Sequence, residues 1–345
     1  MVLDRMRGGS YNRVVGVTLT AKNARYVLRV PRTKKDEQLS RIAQIDITED
    51  IAPLLFVKSA GIPCAEIISF QRDPMNALGL PYMMQSRVKG ECMLQPVRTG
   101  SLTHAQRRRV AKEMGQIYNK MLRTTSTVPG RIILPAGEIS STPTAEDLLI
   151  APYGSQESLP WKQLAEANAT AQPYNPGPVA AERRNTHIAE FLFALIEDRK
   201  RATPAHNKNH HFIYDKWDKW VAKMQTDGLF DDMDYCLDHR DLWPRNIMVD
   251  VDASEEEPMV TILDWDQAML LPAFTMCIPP TWVWDLDNCR EPEQPDADAD
   301  PIDPLKRELK LIFEENAGRN YVRYAKELDY KLGRKVMKDI LRGWP

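Results

Sequence analysis

The chain has 345 residues, a formal net charge of -2, and 43% apolar and 27% charged residues. This length exceeds what one hydrophobic core usually serves and predicts two packed lobes or two domains. The even charge balance excludes a chain built to coat nucleic acid or an anionic membrane surface, and no apolar run is long enough to span a bilayer.

The opening residues, "MVLDRMRGGS", carry no apolar signal core. Cys64, Cys92, Cys236, Cys277 and Cys289 are scattered without a CxxC pair, which predicts reduced thiols in a cytoplasmic protein. "RVVGVTL" (13–19) and "RYVLRV" (25–30) are β-branched and apolar and predict strands separated by a turn at "TAKNA". Ile42, Ile45, Ile51, Leu54, Leu55 and Val57 then recur at roughly helical spacing. "EIISF" (66–70) and "YMMQSRV" (82–88) predict further strands. Residues 1–90 therefore read as a small sheet with a helix on it.

From residue 91 the texture becomes helical. "THAQRRRVAKEMGQIYNKMLRT" (103–124) aligns Val110, Met114, Ile117, Tyr118, Met121 and Leu122 on one stripe. Its arginine run at 107–109 reads as a solvated face before a nucleic-acid patch. Residues 125–180 are rich in Pro, Gly, Ser and Ala, and helices are predicted at 187–201 and 214–224. His206, His210 and His211 lack acidic or cysteine partners nearby, so "HNKNHH" reads as a polar exposed segment rather than a metal site. "REPEQPDADADPIDP" (290–304) is an acidic, proline-rich loop, and three helical stretches close the chain. Residues 91–345 form the predicted C-terminal lobe.

Inside that lobe lie "YCLDHRDLWPRNIMVD" (235–250) and "VTILDWDQA" (260–268). His239, Asp241 and Asn246 stand as H-x-D-x-x-x-x-N on a loop between short apolar runs, and Asp264 ends the next apolar strand. A carboxylate and a carboxamide five residues apart on a loop can converge on one point. With Asp264 they supply one group to meet a hydroxyl and two oxygen ligands for a hard cation, the parts phosphoryl transfer needs. Singly, each has a plainer reading: a buried histidine, a turn former, a strand cap, a strand end. Their conjunction favours a kinase-type site.

These residues resemble the catalytic core of the aminoglycoside phosphotransferase/choline kinase-like family, within the protein-kinase-like fold. "HRDLWPRNIMVD" and "VTILDWDQA" match its His-x-Asp, its Asn five residues after the Asp, and its Ile/Leu-Asp-Trp-Asp/Glu. "RGGSYNRVV" resembles the family's first turn, "YVLRVPR" its third strand, "GIPCAEIISF" its approach to the fourth, and "PYMMQSRVKGECM" its fifth strand and hinge. The texture is most similar to the fungal branch. The resemblance implies an α+β, bilobal fold with ATP and Mg²⁺ in a cleft, and a small-molecule acceptor.

Carried over residue by residue, it implies Asp241 as catalytic base and Asn246 and Asp264 as Mg²⁺ ligands, with His239 and Asp266 in support. Gly8, Gly9 and Ser10 would let backbone N–H groups approach the phosphates. Met84, Gln85, Ser86 and Arg87 would line the adenine pocket. Arg29 stands where most of these enzymes carry a lysine, and its guanidinium can still grip phosphate. Its acidic partner is expected at Glu49, with Asp46 as rival. Pro53 predicts that the helix begins near Asp50, leaving Glu49 in its first turn or outside it.

A protein kinase is disfavoured. Asp264 is followed by Trp-Asp rather than Phe-Gly, and no Ala-Pro-Glu or G-x-G-x-x-G signal is present. A P-loop is absent too. Asp285, Asp287, Glu291 and Glu293 read as a solvated acidic loop, with a cationic acceptor as the alternative. Trp282 and Trp284 read as packing or as a stacking platform. The second function class is a nucleotide-binding pseudokinase. Retention of Asp241, Asn246 and Asp264 argues against it, and the exchange at Arg29 keeps it open. The sequence leaves the acceptor, the nucleotide preference and the oligomeric state undetermined.

Overall fold

β-Branched residues on both sides of "TAKNA" form a hairpin in the computed structural model, which describes residues 1–6, 12–31, 38–95, 101–134, 143–152, 188–203, 208–285 and 299–342. Strands β2 (Asn12–Leu19) and β3 (Ala24–Pro31) pair antiparallel along their whole length. Asn23 closes the turn in the left-handed region at φ 47°, a conformation Asn tolerates better than most residues. Strands β1 (Val2–Arg5), β4 (Ile67–Gln71) and β5 (Tyr82–Ser86) complete a five-stranded sheet ordered β1-β2-β3-β5-β4. The edge strand β1 was not expected from the sequence.

Helix α1 runs from Gln38 to Ser59 with Pro53 inside it. It does not start near Asp50, as the proline had suggested. Losing one backbone hydrogen bond at Pro53 is outweighed by a stripe in which Ile47, Ile51, Leu54 and Val57 are all at most 5% exposed.

Three further strands form a second small sheet. Strand β6 (Glu91–Cys92) pairs with β11 (Ile247–Val249), which pairs with β12 (Val260–Ile262). Gly90, at φ 86°, precedes β6 where a Cβ would lie 2.2 Å from the Val249 carbonyl oxygen, so only glycine fits this approach. Ile262 N–H also donates to the Pro63 carbonyl at 3.0 Å. Such contacts explain why the compact units do not follow a linear cut at residue 90. One unit comprises Met1–Leu102, Ile132–Leu149 and Asp241–Gln267, and the other Thr103–Arg131, Ile150–Arg240 and Ala268–Pro345. The chain is α+β, with strands dominating the N-terminal region and helices the C-terminal region.

The second unit is organised around helix α2 (His104–Arg123). Thr103 and Gln106 cap its N-terminus reciprocally. Helices α3 (Ile188–Ala202), α4 (Lys208–Thr226), α5 (Pro304–Ala317), α6 (Arg319–Lys326) and α7 (Leu328–Arg342) follow. Strands β7 (Thr125–Ser126), β10 (Tyr235–Asp238) and β13 (Met269–Pro272) pair antiparallel, and β13 continues onto the start of β8 (Gly130–Ile133). A further strand, β9, spans Leu149–Pro152. α2 packs closely on α5 at Gly115, where a Cβ would meet the Phe313 carbonyl at 2.5 Å. Tyr118 packs edge-on to Phe313 and Tyr321, both at 5.3 Å between centroids. No helix among the described residues is long and apolar enough to cross a membrane.

Candidate active site

The β11–β12 hairpin aligns Ile247 with Ile262, and Leu263 N–H extends the ladder by donating to the Asn246 carbonyl at 2.8 Å. Asn246 and Asp264 are thereby delivered to the same end of the hairpin. A short helical turn, Pro244–Asn246, aims the Asn246 side chain. Its Nδ2 donates to the Asp241 carbonyl oxygen at 2.8 Å and to Asp241 Oδ2 at 2.9 Å. Asp241 Oδ1 accepts from Arg245 Nη2 in a close ion pair. Both carboxylate oxygens of Asp241 are therefore engaged.

Two backbone strains bracket this geometry. Arg240 and Asp264 adopt φ of 67° and 66°, positions rarely held by non-glycine residues. The first is supported by Asp238, whose Oδ1 accepts from Arg240 N–H at 2.8 Å while Oδ2 accepts from Thr275 Oγ1 at 2.9 Å. The second is followed by Trp265, buried to 1% exposure and donating from Nε1 to the Ile262 carbonyl at 3.2 Å. His239 is 1% exposed and belongs to the framework rather than to the reacting surface.

Arg29 on β3 meets the end of the same motif. Its Nη2 lies 3.1 Å from Asp50 Oδ2 and 3.1 Å from Asp266 Oδ2, and 3.9 Å from Asp264 Oδ1. Asn12 Nδ2 donates to Asp50 Oδ2 at 3.1 Å and holds that carboxylate in place. The acid that pairs with Arg29 is thus Asp50, not Glu49. Asp50 shares the helix stripe of Ile47, Ile51 and Leu54 and is 3% exposed, whereas Glu49 lies one residue off that stripe and is half-buried. A carboxylate on an apolar stripe needs a cation, and that was the signal available in the sequence. The side chain of Asp46 lies outside the described residues. Asp266, expected in a supporting role, is a direct partner of Arg29. Burial works against the Arg29 charge, but Asp50, Asp266 and Asp264 more than offset it and hold the guanidinium firmly charged.

Asp264 differs from its neighbours. Its side chain is 49% exposed, yet partial burial, the Asp266 charge and a hydrogen bond with Asp266 raise its carboxyl to about 7, with Arg29 pulling the other way.

These residues line one cavity of about 610 Å³ whose wall belongs entirely to the first unit. Arg29, Asp241, Arg245, Asn246, Asp264 and Asp266 are polar parts of its wall. Val14 and Val27 from the five-stranded sheet and Met248 and Leu263 beside the hairpin are apolar parts. Gln85, Ser86 and Arg87 also line it, as does the segment through Gly90. Met84 does not, because its neighbour Gln85 takes the position on the cavity side of β5. Arg87 is tied to both Asp4 oxygens at 3.1 and 3.2 Å. Gly8, Gly9 and Ser10 lie outside the described residues.

The donor set suits Mg²⁺. With Asn246 Nδ2 committed to Asp241, Oδ1 is left as an acceptor, and the half-exposed Asp264 carboxylate opens on the same cavity. One carboxylate and one carboxamide oxygen fit a cation that completes its shell with phosphate and water. Among the described residues no group of three His, Cys, Asp or Glu side chains has metal-holding geometry.

The other predicted features resolve into packing. Trp282 and Trp284 are 1% and 5% exposed and belong to the core. Asp285 pairs with Lys306 at 2.7 Å, and Asp287, Glu291 and Glu293 lie outside the described residues. His211 packs edge-on to Tyr214, whereas the His206 and His210 side chains lie outside the described residues. Asp50, Asp238 and Arg245 were not singled out from the sequence, although Asp238 and Arg245 both sit inside the quoted motif.

Solved structures similar to this chain include the GDP and kanamycin complex of APH(2")-IIia, at 13% identity over 99% of this chain and 94% of that one, with a TM-score of 0.40. They also include an ethanolamine kinase from Plasmodium vivax (12% identity, 99% and 74% coverage, TM-score 0.42). A third is a choline kinase from Cryptosporidium parvum Iowa II (8% identity, 99% and 90% coverage, TM-score 0.34). No curated protein matches the chain. The phosphotransferase enzyme family model matches residues 3–275, a span that holds the Arg29 network, the Asp241–Asn246 loop and Asp264, and the chain therefore belongs to the phosphotransferase enzyme family.

Proposed function

We propose that this chain transfers the γ-phosphoryl group of ATP to a hydroxyl of a small molecule, with Mg²⁺ as cofactor. The observation that supports it best is the meeting of Asp241, Asn246, Asp264 and Arg29 on one cavity that also has apolar walls able to take a base. Asp241 would orient the acceptor hydroxyl and receive its proton. The new bond joins the acceptor oxygen to phosphorus, the bond from phosphorus to the β,γ-bridging oxygen breaks, and the nucleoside diphosphate leaves.

Asn246 Oδ1 and Asp264 would hold Mg²⁺, which supplies neutralising charge at the phosphates. Arg29 spends Nη2 on Asp50 and Asp266. The rest of the fork would donate to a phosphate oxygen, and the two acids would fix its plane. Gln85, Ser86 and the segment after them would face the adenine. Gly8, Gly9 and Ser10 would add backbone donors to the phosphates. A hydroxylated small molecule such as the aminoglycosides, choline and ethanolamine named for the similar structures is the acceptor class to screen first.

The pseudokinase reading draws on one observation, that both oxygens of Asp241 are already occupied. The test separates the two. Asp241→Asn should lower phosphorylation about 10²–10⁴-fold across a panel of hydroxylated amines and sugars while Mg·ATP still raises the melting temperature. Unchanged transfer in that variant would remove Asp241 from this role, and nucleotide binding without transfer to any acceptor by the wild-type chain would favour the binding module.

A further inference from the structure

Arg245 has no part in the reading above, and its position gives it one. It lies four residues after Asp241, lines the same cavity, and places Nη2 against Asp241 Oδ1. The opposite oxygen, Oδ2, is held by Asn246. A carboxylate has about four lone-pair sites, and with Asn246 on Oδ2 the Arg245 guanidinium crowds the other oxygen, so opening the Arg245 contact clears the approach of an incoming hydroxyl. That contact is cheap to open. The Arg245 side chain is 54% exposed and that of Asp241 27%, and the guanidinium also passes 5.9 Å from the centre of the Trp243 ring. An ion pair this exposed is worth little. A terminal phosphate carries more charge than a carboxylate and offers three oxygens, so it competes well for the same planar fork.

We infer that Arg245 reads the terminal phosphate of the donor: it covers Asp241 in the nucleotide-free chain and exchanges Asp241 for the γ-phosphate when a triphosphate binds. The base is thereby exposed only when a transferable group is present, and Arg245 contributes charge to that group. A nucleoside diphosphate has no γ-phosphate to draw it away and leaves Asp241 covered. The inference rests on the proposed kinase reading and adds an order to it, donor before acceptor. Arg29, anchored by two carboxylates at 3.1 Å, is not free to make this exchange.

The test is calorimetric titration of the full chain with Mg·ADP and with the non-hydrolysable triphosphate Mg·AMP-PNP. It is repeated for Arg245→Ala, Arg245→Lys and Asp241→Asn. Arg245→Ala should weaken triphosphate binding about tenfold and leave the diphosphate unchanged, and the unchanged diphosphate shows that the variant is folded. Arg245→Lys should recover part of the loss, because an ammonium keeps the charge without the fork. Asp241→Asn should tighten triphosphate binding, since Arg245 then has no carboxylate to leave. Equal weakening of both nucleotides in Arg245→Ala, or no change in either, overturns the inference and leaves the kinase reading standing. Failure of the wild-type chain to bind either nucleotide overturns both.

Discussion

Two of the four arginines that line the cavity, Arg29 and Arg245, are held in opposite ways. Arg29 is 12% exposed, sits on a strand, and meets Asp50 and Asp266 at equal distance, with Asn12 behind Asp50. Arg245 is mostly exposed, sits in the short helical turn Pro244–Asn246, and among the described residues pairs with one carboxylate. A buried, networked charge cannot lose a partner cheaply, because the remaining charge is stranded in a poor solvent. An exposed pair can trade its partner for another anion at small cost. Of these two arginines, one is thus fixed as scaffold and the other can exchange its partner.

The largest effect that would sharpen this contrast is on turnover. Asp241→Asn should lower phosphoryl transfer about 10²–10⁴-fold, the range for loss of a positioned acid–base group, with little change in unfolding midpoint. Steady-state kinetics and a denaturant melt on one preparation check both halves.

Next comes the scaffold. Asp50→Ala leaves Arg29 short of a buried partner and should destabilise the chain by about 3–5 kcal/mol, read as a shift in urea midpoint at constant slope. A change below about 1 kcal/mol would erase the distinction between the two arginines.

The third effect is pH-dependent. The Asp264 carboxyl is raised to about 7, first by burial and then by Asp266. It must lose its proton to hold a cation, so Mg²⁺ affinity should fall about tenfold per pH unit below 7 and level off above it. The sign reverses for the metal-free chain. A raised carboxyl binds more protons folded than unfolded, so its stabilising contribution is present at low pH and lost as pH rises through about 7. Mg²⁺ titrations and melts between pH 5.5 and about 8.5 would reveal both trends, and a flat Mg²⁺ profile would remove Asp264 from the metal site.

The smallest effect is on the mobile cation. Arg245→Ala should change the stability of the nucleotide-free chain by less than about 1 kcal/mol. A larger loss would show that Arg245 is scaffold after all.

The motif around Asp241 was legible in the sequence because its spacing is short. A loop of five residues and a hairpin of two short strands leave few ways to arrange Asp241, Asn246 and Asp264. The strands at 12–19 and 24–31 were legible for a similar reason, since their β-branched runs flank a turn that Asn23 can close. The partner of Arg29 was not. Asp46, Glu49 and Asp50 differ by a few residues on one helix, and Pro53 pointed to a later start than Gln38. Strand β13 was missed because it gains its pairing from β10 and β8, far along the chain, and the edge strand β1 because its four residues pair on one side only, with β2.

The sequence by itself therefore determined the α+β character, the strand–turn–strand beginning, the amphipathic helix at 104–123 and the identity of the polar residues in the motif. These depend on neighbours within a few residues, where periodicity and turn chemistry act directly. Only the tertiary structure decided that residues 241–267 pack with the N-terminal sheet, that Asp50 rather than Glu49 meets Arg29, and that Arg245 covers Asp241. Those contacts depend on the phase of a helix and the directions of side chains brought together from far along the chain, which are set by burial of the whole core and not by local spacing.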